Sequence, residues 1–409
     1  MKYSKIEKKC QFSRKKDLKK ILSLGFLPAV NGLEKINNKK DFEPFFSTNL
    51  MYSPSSRLFQ LDNVLNKKIL FPKSYPYTSS TTEILRKNFK ELSLEVQKML
   101  KIQKTDLVVD IGSNDGNLLS NFKNFRVQGV TPENIGRIAI KRGIPTIIDY
   151  FHAKSVNKIL KKRGKAKIIT ATNVFAHIDD INSLMKNVLK LLDQKGVFIT
   201  ESHYFLDLMK TLQYDTIYHE HLRYYTLQSL SKIFNKFGLK IIFAKKIKTH
   251  GGSIRVYASR KKYYKIFNNV HSMLKIEKNF INKKNIDEFR EKVIDTKIKT
   301  YSLLNSIKIK GKKIFGVGAP SRATTLVNYL GLDQNILENI CEIKGSHKIG
   351  FYLPGTKIPI VDEKEIYKKK PDYLFLLSWH IKDELIKNLK RKGFKGKFII
   401  PLPKPRIVN

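Results

Sequence analysis

The stretch "DLVVDIGSNDGNLL", residues 106–119, constrains the fold more than any other part of the chain. A short apolar run gives way to a turn carrying Gly112 and Gly116 and then to the opening of a helix, the unit with which nucleotide-binding α/β domains begin. The alternation continues downstream. "VQGVT", "IPTIID", "KIITATNVF" and "VFITES" read as strands, with "IGRIAIKRG", "AKSVNKILKKRG" and "INSLMKNVLKLLDQKG" as the helices between them. Strands that alternate with helices in this way predict a mostly parallel sheet covered on both faces. "TLQSLSKIFNKFG" adds a helix with Thr226 as its cap and Gly238 just past its end. "LKIIFAKKI" and "SIRVYAS", around "THGG", predict a hairpin that closes the sheet. Upstream, Ile84, Leu85, Phe89, Leu92, Val96 and Leu100 lie near helical spacing, with Thr81 or Thr82 as N-cap.

A chain of 409 residues exceeds what one core usually serves. Residues 1–80 carry no sustained period and contain the turn formers "SPSS" and "YPYTSS", which predicts a small irregular N-terminal lobe. Residues 81–268 form the central Rossmann-like unit. Residues 269–409 open with a lysine-rich helical stretch and continue as a second α/β unit, with "KKIFGVGAPSRATTLVNYLG" as its own strand, turn and helix. The expected class is therefore α/β throughout, apart from the first lobe.

No apolar run approaches a membrane span, and the first residues lack the apolar core of a secretory signal, so a cytoplasmic protein without a membrane partner is expected. Cys10 and Cys341 are too few for a disulfide framework. The formal charge of +44 would suit nucleic acid, but the lysines are scattered through every segment among many Ile and Asn. That distribution argues against nucleic acid as the partner and for a surface that draws anionic ligands, a sugar diphosphate included.

The Gly-rich turn carries acids where a dinucleotide would place phosphates. Asp110 and Asp115 are poor company for a pyrophosphate, and the G-x-G-x-x-G fingerprint is absent. A ligand with a cationic end fits better, and S-adenosylmethionine carries a sulfonium and an ammonium. Asp110, Gly112, Asn114, Asp115 and Gly116 are its candidate contacts, against the plain alternative of a tight turn. At the second strand end, where a carboxylate usually meets a ribose, Thr131 stands in the acidic place and Glu133 lies two residues on. At the fourth, "NVFAH" brings Asn173 and His177 to the rim, although His177 serves equally well as a helix cap.

"YHEHLRYY", residues 218–225, packs titratable groups of different kinds together. His219 and His221 point apart on a helix and no third ligand stands at a familiar spacing, so no metal is expected there. Tyr218 and His221 share a face at i, i+3, with Glu220 turned aside. Histidine titrates near neutrality, which suits a general base, while a structural hydrogen-bonded cluster remains the competing use. "THGG" offers His250 and Gly252 for close backbone approach to a sugar or phosphate, or simply as a hairpin turn. Ser321 and Arg322, at the start of a helix, suit a diphosphate.

"DLVVDIGSNDGNLL", "NVFAHIDDIN", "YDTIYHEHLRYY", "HGGSIRVY" and "PGTKIPI", in this order, make almost the whole chain resemble the sugar C-methyltransferases that act on nucleotide-linked 4-keto-deoxyhexoses. The resemblance implies an N-terminal zinc-binding domain, a central class I methyltransferase domain that takes S-adenosylmethionine, and a C-terminal α/β domain that helps hold a nucleotide-linked sugar. It implies His221 as the base that removes a proton beside the ketone, with Tyr218 and Glu220 positioning the sugar and stabilising the enolate. Tyr75 and Tyr77 of "YPYTSS" would reach the same site. The family's two Cys-x-x-Cys pairs align to Cys10, Ser13, Ser53 and Ser56; three of the four are hydroxyls, so zinc is not expected. Those missing thiolates and Thr131 keep open a noncatalytic nucleotide-sugar binding protein. The basic charge keeps open methylation of another small molecule or of RNA.

Overall fold

The computed structural model describes residues 3–38, 43–70, 78–260 and 263–409; Tyr75 and Tyr77 lie outside the described residues. The first lobe is built on β1 (Lys19–Pro28), β2 (Phe45–Ser53) and β3 (Leu58–Leu61), paired antiparallel. It is more regular than its turn-rich sequence suggests. Register shifts between Lys20 and Leu22 and between Ser23 and Phe26 break the alternation of side chains, and with it the sequence signal.

Cys10, Ser13, Ser53 and Ser56 do come together in this lobe. The Cys10 thiol lies 3.2 Å from the Ser56 hydroxyl, which donates to Ser53 Oγ at 2.9 Å, and the Ser13 N–H donates to Cys10 Sγ at 3.4 Å. Asp17 closes the group by accepting from Ser53 Oγ at 2.8 Å and from the Ser55 N–H at 2.9 Å. One thiol among three hydroxyls does not fit the thiolate set of a structural zinc. Hydrogen bonds link the loops that such a metal would tie.

The central sheet holds β4 (Leu107–Ile111), β5 (Arg126–Thr131), β6 (Thr146–Ile148), β7 (Ala166–Thr172) and β8 (Leu192–His203). β9 (Arg223–Tyr224) then leaves this lobe and pairs with β3, extending the N-terminal sheet. β10 (Leu239–Ile247) and β11 (Ser253–Arg260) complete the central sheet in the order β10-β11-β8-β7-β4-β5-β6. β11 runs antiparallel to both its neighbours, so the expected hairpin inserts its second strand between β10 and β8. Every residue of β4 is buried, as a strand covered on both faces requires. The helix expected after the Gly-rich turn is reduced to one 3₁₀ turn, Leu119–Phe122. Ser120 Oγ and Asn121 Nδ2 both donate to the Asn117 carbonyl at 2.8 Å, and such local bonds compete with a helical ladder.

Helix α1 (Glu83–Leu100) buries Leu85, Phe89, Leu92, Val96 and Leu100 and starts after Thr82, whose side chain makes no capping bond. It is tied to the sheet by a buried ion pair. Arg255 Nε donates to Glu201 Oε1 at 2.5 Å, and Asn88 of α1 donates to Glu201 Oε2 at 2.8 Å and accepts from Arg255 at 2.8 Å. α2 (Leu227–Lys236) carries a capping box in which Thr226 Oγ1 accepts from the Ser229 N–H at 2.9 Å.

The lysine-rich link is two helices, α3 (Asn268–Phe280) and α4 (Lys283–Ile309). Beyond it β12 (Ile314–Val317), β13 (Ile340–Glu342), β14 (Ile360–Asp362), β15 (Tyr373–Leu376), β16 (Lys397–Ile400) and β17 (Arg406–Val408) form a second sheet, ordered β14-β13-β12-β15-β16-β17. α5 (Ser321–Leu330) follows β12. Among the described residues no helix is long and apolar enough to cross a membrane.

Arg255→Met leaves the Glu201 carboxylate buried without its cation, and a loss of about 3–5 kcal/mol in urea unfolding is expected. Adding Glu201→Gln in the same protein should restore most of it, because the orphaned charge is then gone.

Candidate active site

A cavity of about 610 Å³ opens where the carboxyl ends of β4, β7 and β8 meet, the place at which open α/β sheets bind ligands. Its floor is the Gly-rich turn. Gly112 has φ +73°, and a Cβ there would stand 2.8 Å from Val174 Cγ2, so only glycine lets the chain pass this closely. Asp110 lies beside it, buried, with Oδ1 accepting from Thr170 Oγ1 at 2.6 Å. Burial raises its carboxyl to a pKa of about 7, assisted by the nearby Glu201 carboxylate and opposed by the Thr170 bond. Asn114, in the left-handed region at φ +50°, lines the cavity and accepts from the Ser79 N–H at 2.9 Å. Asn173, also left-handed at φ +56°, lines it from the end of β7.

Two residues expected to contact a cofactor point elsewhere. Asp115 is buried away from the cavity, accepting from Ser79 Oγ at 2.6 Å and pairing with Arg142 at 3.2 Å. Gly116 serves packing, since a Cβ there would meet Ile144 at 2.7 Å and Ala139 at 3.0 Å. Glu133 does face the cavity. Its Oε2 accepts from the Thr131 hydroxyl at 2.5 Å, so the threonine in the acidic place tethers the carboxylate two residues on. Tyr150 and Phe151 add an aromatic wall here, with Lys67 of the first lobe 4.3 Å above the Tyr150 ring.

On the opposite side stands the turn Tyr218–His221, closed by the His221 N–H donating to the Tyr218 carbonyl at 2.9 Å. That closure brings the two rings to 4.3 Å between centroids, tilted by 33°, on the shared face expected from their spacing. His221 Nδ1 lies 2.9 Å from the Thr216 carbonyl. A carbonyl only accepts, so Nδ1 carries the hydrogen and Nε2 the lone pair. Glu220 lines the cavity, with Oε1 held by Asn31 Nδ2 of the first lobe. His219 does not belong to it: its Nε2 meets the Ser47 carbonyl at 3.1 Å and Thr48 Oγ1 at 3.2 Å. Among the described residues no group of three His, Cys, Asp or Glu is placed to hold a metal.

Further imidazoles crowd the same wall. His177 lies 5.0 Å from His221, His203 lies 4.7 Å from His221 and 5.6 Å from His250, all between ring centroids, and His380 arrives from the C-terminal lobe. Burial, reinforced by neighbouring imidazoles and the Arg322 guanidinium, pushes His203 and His221 well below the ordinary histidine value. Burial likewise brings His177 and His250 to about 4 and His380 to about 3. These rings are neutral at physiological pH.

The remaining wall belongs to the C-terminal lobe: Pro320, Ser321, Arg322 and Lys348. Arg322 departs from its expected role as a diphosphate anchor. Its guanidinium is engaged by Asp215, with Nε to Oδ2 at 2.9 Å and one terminal nitrogen to Oδ1 at 2.8 Å. Gly252 also falls outside the cavity; at φ +129° it turns the chain against Asp207, 3.0 Å from where its Cβ would be. His203 was within reach of the strand-end rule that found Asn173, because β8 ends on it. Lys348 and His380 had no local signal, since only tertiary packing brings them here.

The sheet order with one reversed strand, the glycine-floored turn and the acid beside it define a class I methyltransferase that uses S-adenosylmethionine. Residues 84–243 match the model of a methyltransferase domain and residues 248–403 that of the C-methyltransferase C-terminal domain. C-methyltransferase NovU of Streptomyces niveus is 30% identical over 98% of this chain and 96% of its own length. The chain belongs to the C-methyltransferase family. Among solved structures, the PH0226 protein of Pyrococcus horikoshii aligns with TM-score 0.37 and 16% identity, over 48% of this chain and 98% of that one. An S-adenosylmethionine-dependent methyltransferase of Clostridium acetobutylicum aligns with TM-score 0.34 and 16% identity, over 44% and 93%.

A cavity-lining carboxyl with a pKa of about 7 would couple the binding of a cationic ligand to pH. The ligand favours the ionised form, so S-adenosylmethionine affinity, measured by calorimetry, is expected to strengthen as pH rises through about 7 and then level off. In Asp110→Asn the affinity should be weaker and that pH dependence should vanish.

Proposed function

We propose that this enzyme methylates a ring carbon next to a ketone in a nucleotide-linked deoxysugar. The observation that carries the reading is His221, fixed through Nδ1 by the Thr216 carbonyl, in the same cavity as the glycine-floored turn. S-adenosylmethionine, when bound, supplies an electrophilic methyl on its sulfonium. Asp110 and Asn173 would meet its charged end and Glu133 its ribose, in a cradle that the Cβ of any residue but glycine at 112 would fill.

Carbon becomes nucleophilic here only by losing a proton, and the ketone makes that proton acidic enough to lose. His221 offers Nε2 as the base: burial keeps the ring neutral with its lone pair free, and the same burial holds its basicity below the near-neutral value of an ordinary histidine. Tyr218, packed against the same ring, donates to the enolate oxygen as charge develops there. Glu220, steadied by Asn31, accepts from a sugar hydroxyl. With Arg322 neutralised by Asp215, the diphosphate falls to Ser321 at the start of α5 and to Lys348, whose Nζ donates to the Ala319 carbonyl at 2.6 Å. His250, on the turn after β10, faces the same space and serves the sugar. The reacting groups are recessed, which supports a small substrate over an RNA strand. Both reactants of this reading are cytoplasmic small molecules, and the cytoplasm is where the enzyme would work.

The test is transfer from labelled S-adenosylmethionine to a panel of dTDP-, GDP- and CDP-linked 4-keto-6-deoxyhexoses, with total RNA alongside. Transfer to at least one sugar is expected, and His221→Ala should lower its kcat by on the order of 10²–10⁴. Tyr218→Phe should lower it by on the order of 10²–10³ with little change in cofactor binding. Transfer to RNA and to no sugar would overturn the proposal, and cofactor binding without transfer to any acceptor would make this a binding protein.

A further inference from the structure

We propose that Asp215 is a positioning residue for the base, so that docking of the C-terminal lobe sets the orientation and tautomer of His221. The inference rests on reading His221 as the base. Asp215 sits on a single 3₁₀ turn, Tyr214–Thr216, and is fully buried. Its carboxylate accepts from donors that all belong to the C-terminal lobe: Arg322 through two nitrogens at 2.9 and 2.8 Å, and Trp379 Nε1 at 2.7 Å. Arg322 also donates to Gln213 Oε1 at 3.1 Å, gripping the turn a second time, and lies 4.9 Å over the Trp379 ring.

The residue after Asp215 is the one that holds the base. The Thr216 carbonyl meets His221 Nδ1 at 2.9 Å and accepts from the Tyr224 hydroxyl at 3.3 Å, and Tyr224 in turn accepts from the Tyr218 N–H at 3.2 Å. One peptide unit therefore stands between the clamp on the carboxylate and the bond that fixes the imidazole. A turn of three residues has too few internal bonds to hold that carbonyl by itself. The Asp215 charge is stable in its buried place only when Arg322 and Trp379 are seated. Without them, the Thr216 carbonyl loses its fixed direction, His221 samples its other tautomer, and the lone pair turns out of line.

Two variants separate positioning from folding. Asp215→Asn keeps the side-chain volume; Trp379→Phe removes one donor and leaves the ion pair intact. In both, protein selectively labelled with ¹⁵N-histidine, assigned by His221→Gln, should show His221 shifted from the Nδ1–H form toward a mixture. Exchange of the hydrogen beside the ketone of dTDP-4-keto-6-deoxyglucose into D₂O should slow by on the order of a hundredfold in Asp215→Asn and by about tenfold in Trp379→Phe. The Kd for S-adenosylmethionine should stay as in the parent. A folded Asp215→Asn with the parent's tautomer and exchange rate would overturn the proposal. If that variant does not fold, an unchanged tautomer and exchange rate in Trp379→Phe would overturn it equally. A His221→Ala enzyme that exchanges at the parent rate would instead remove the base assignment itself, a different failure.

Discussion

The segment from Gln213 to Tyr225 cannot satisfy its own buried polar groups, and that constraint shapes everything around the cavity. It holds only a 3₁₀ turn and a two-residue strand, so most of its backbone and charged side chains need partners from outside. They come from three directions. The Leu222 N–H donates to Ala176 of the central lobe at 3.0 Å, while its carbonyl accepts from the Leu61 N–H of the first lobe at 3.0 Å. Arg223, buried, reaches Gln11 Oε1 at 2.7 Å, Tyr225 Oη at 3.0 Å and the Ile178 carbonyl. His219 is fixed by Ser47 and Thr48, and Asp215 by the C-terminal lobe. Tyr218, Glu220 and His221 are therefore positioned by the agreement of all three lobes.

The imidazole wall follows from the same burial. Several histidines in one recess, beside Arg322, would repel one another if protonated, and desolvation already disfavours the charged forms. Neutral rings offer hydrogen-bonding nitrogens to the cavity without adding charge. Positive charge at the cavity wall comes instead from the side chains of Lys67, Arg322 and Lys348, with Arg322 paired to Asp215.

Much of this was legible in the sequence. The strands of the central sheet announce themselves as apolar runs because both their faces are covered, and the left-handed turn at Gly112 is written as glycine because Val174 leaves no room for a Cβ. Tyr218 and His221 share a face because the backbone turns between them, as i, i+3 spacing implies. What the sequence hid is tertiary. Asp115 and Gly116 stand in a ligand-binding turn yet face Arg142 and a packed helix, and nothing in "DIGSNDG" distinguishes them from Asp110 and Gly112. Arg322 carries the charge and the helix position of a phosphate ligand, but its partner Asp215 is more than a hundred residues away. The bulged strand β1 loses its alternation through pairing with β2, which no local window reports.

The pairing of β9 with β3 also bears on modularity. A strand donated by the central lobe completes the first lobe's sheet, and a carboxylate on the same segment anchors the third. No cut between lobes leaves an intact catalytic unit behind, so the central domain is not a portable module, and exchanging the outer lobes for those of a relative would require transplanting the threaded segment along with them.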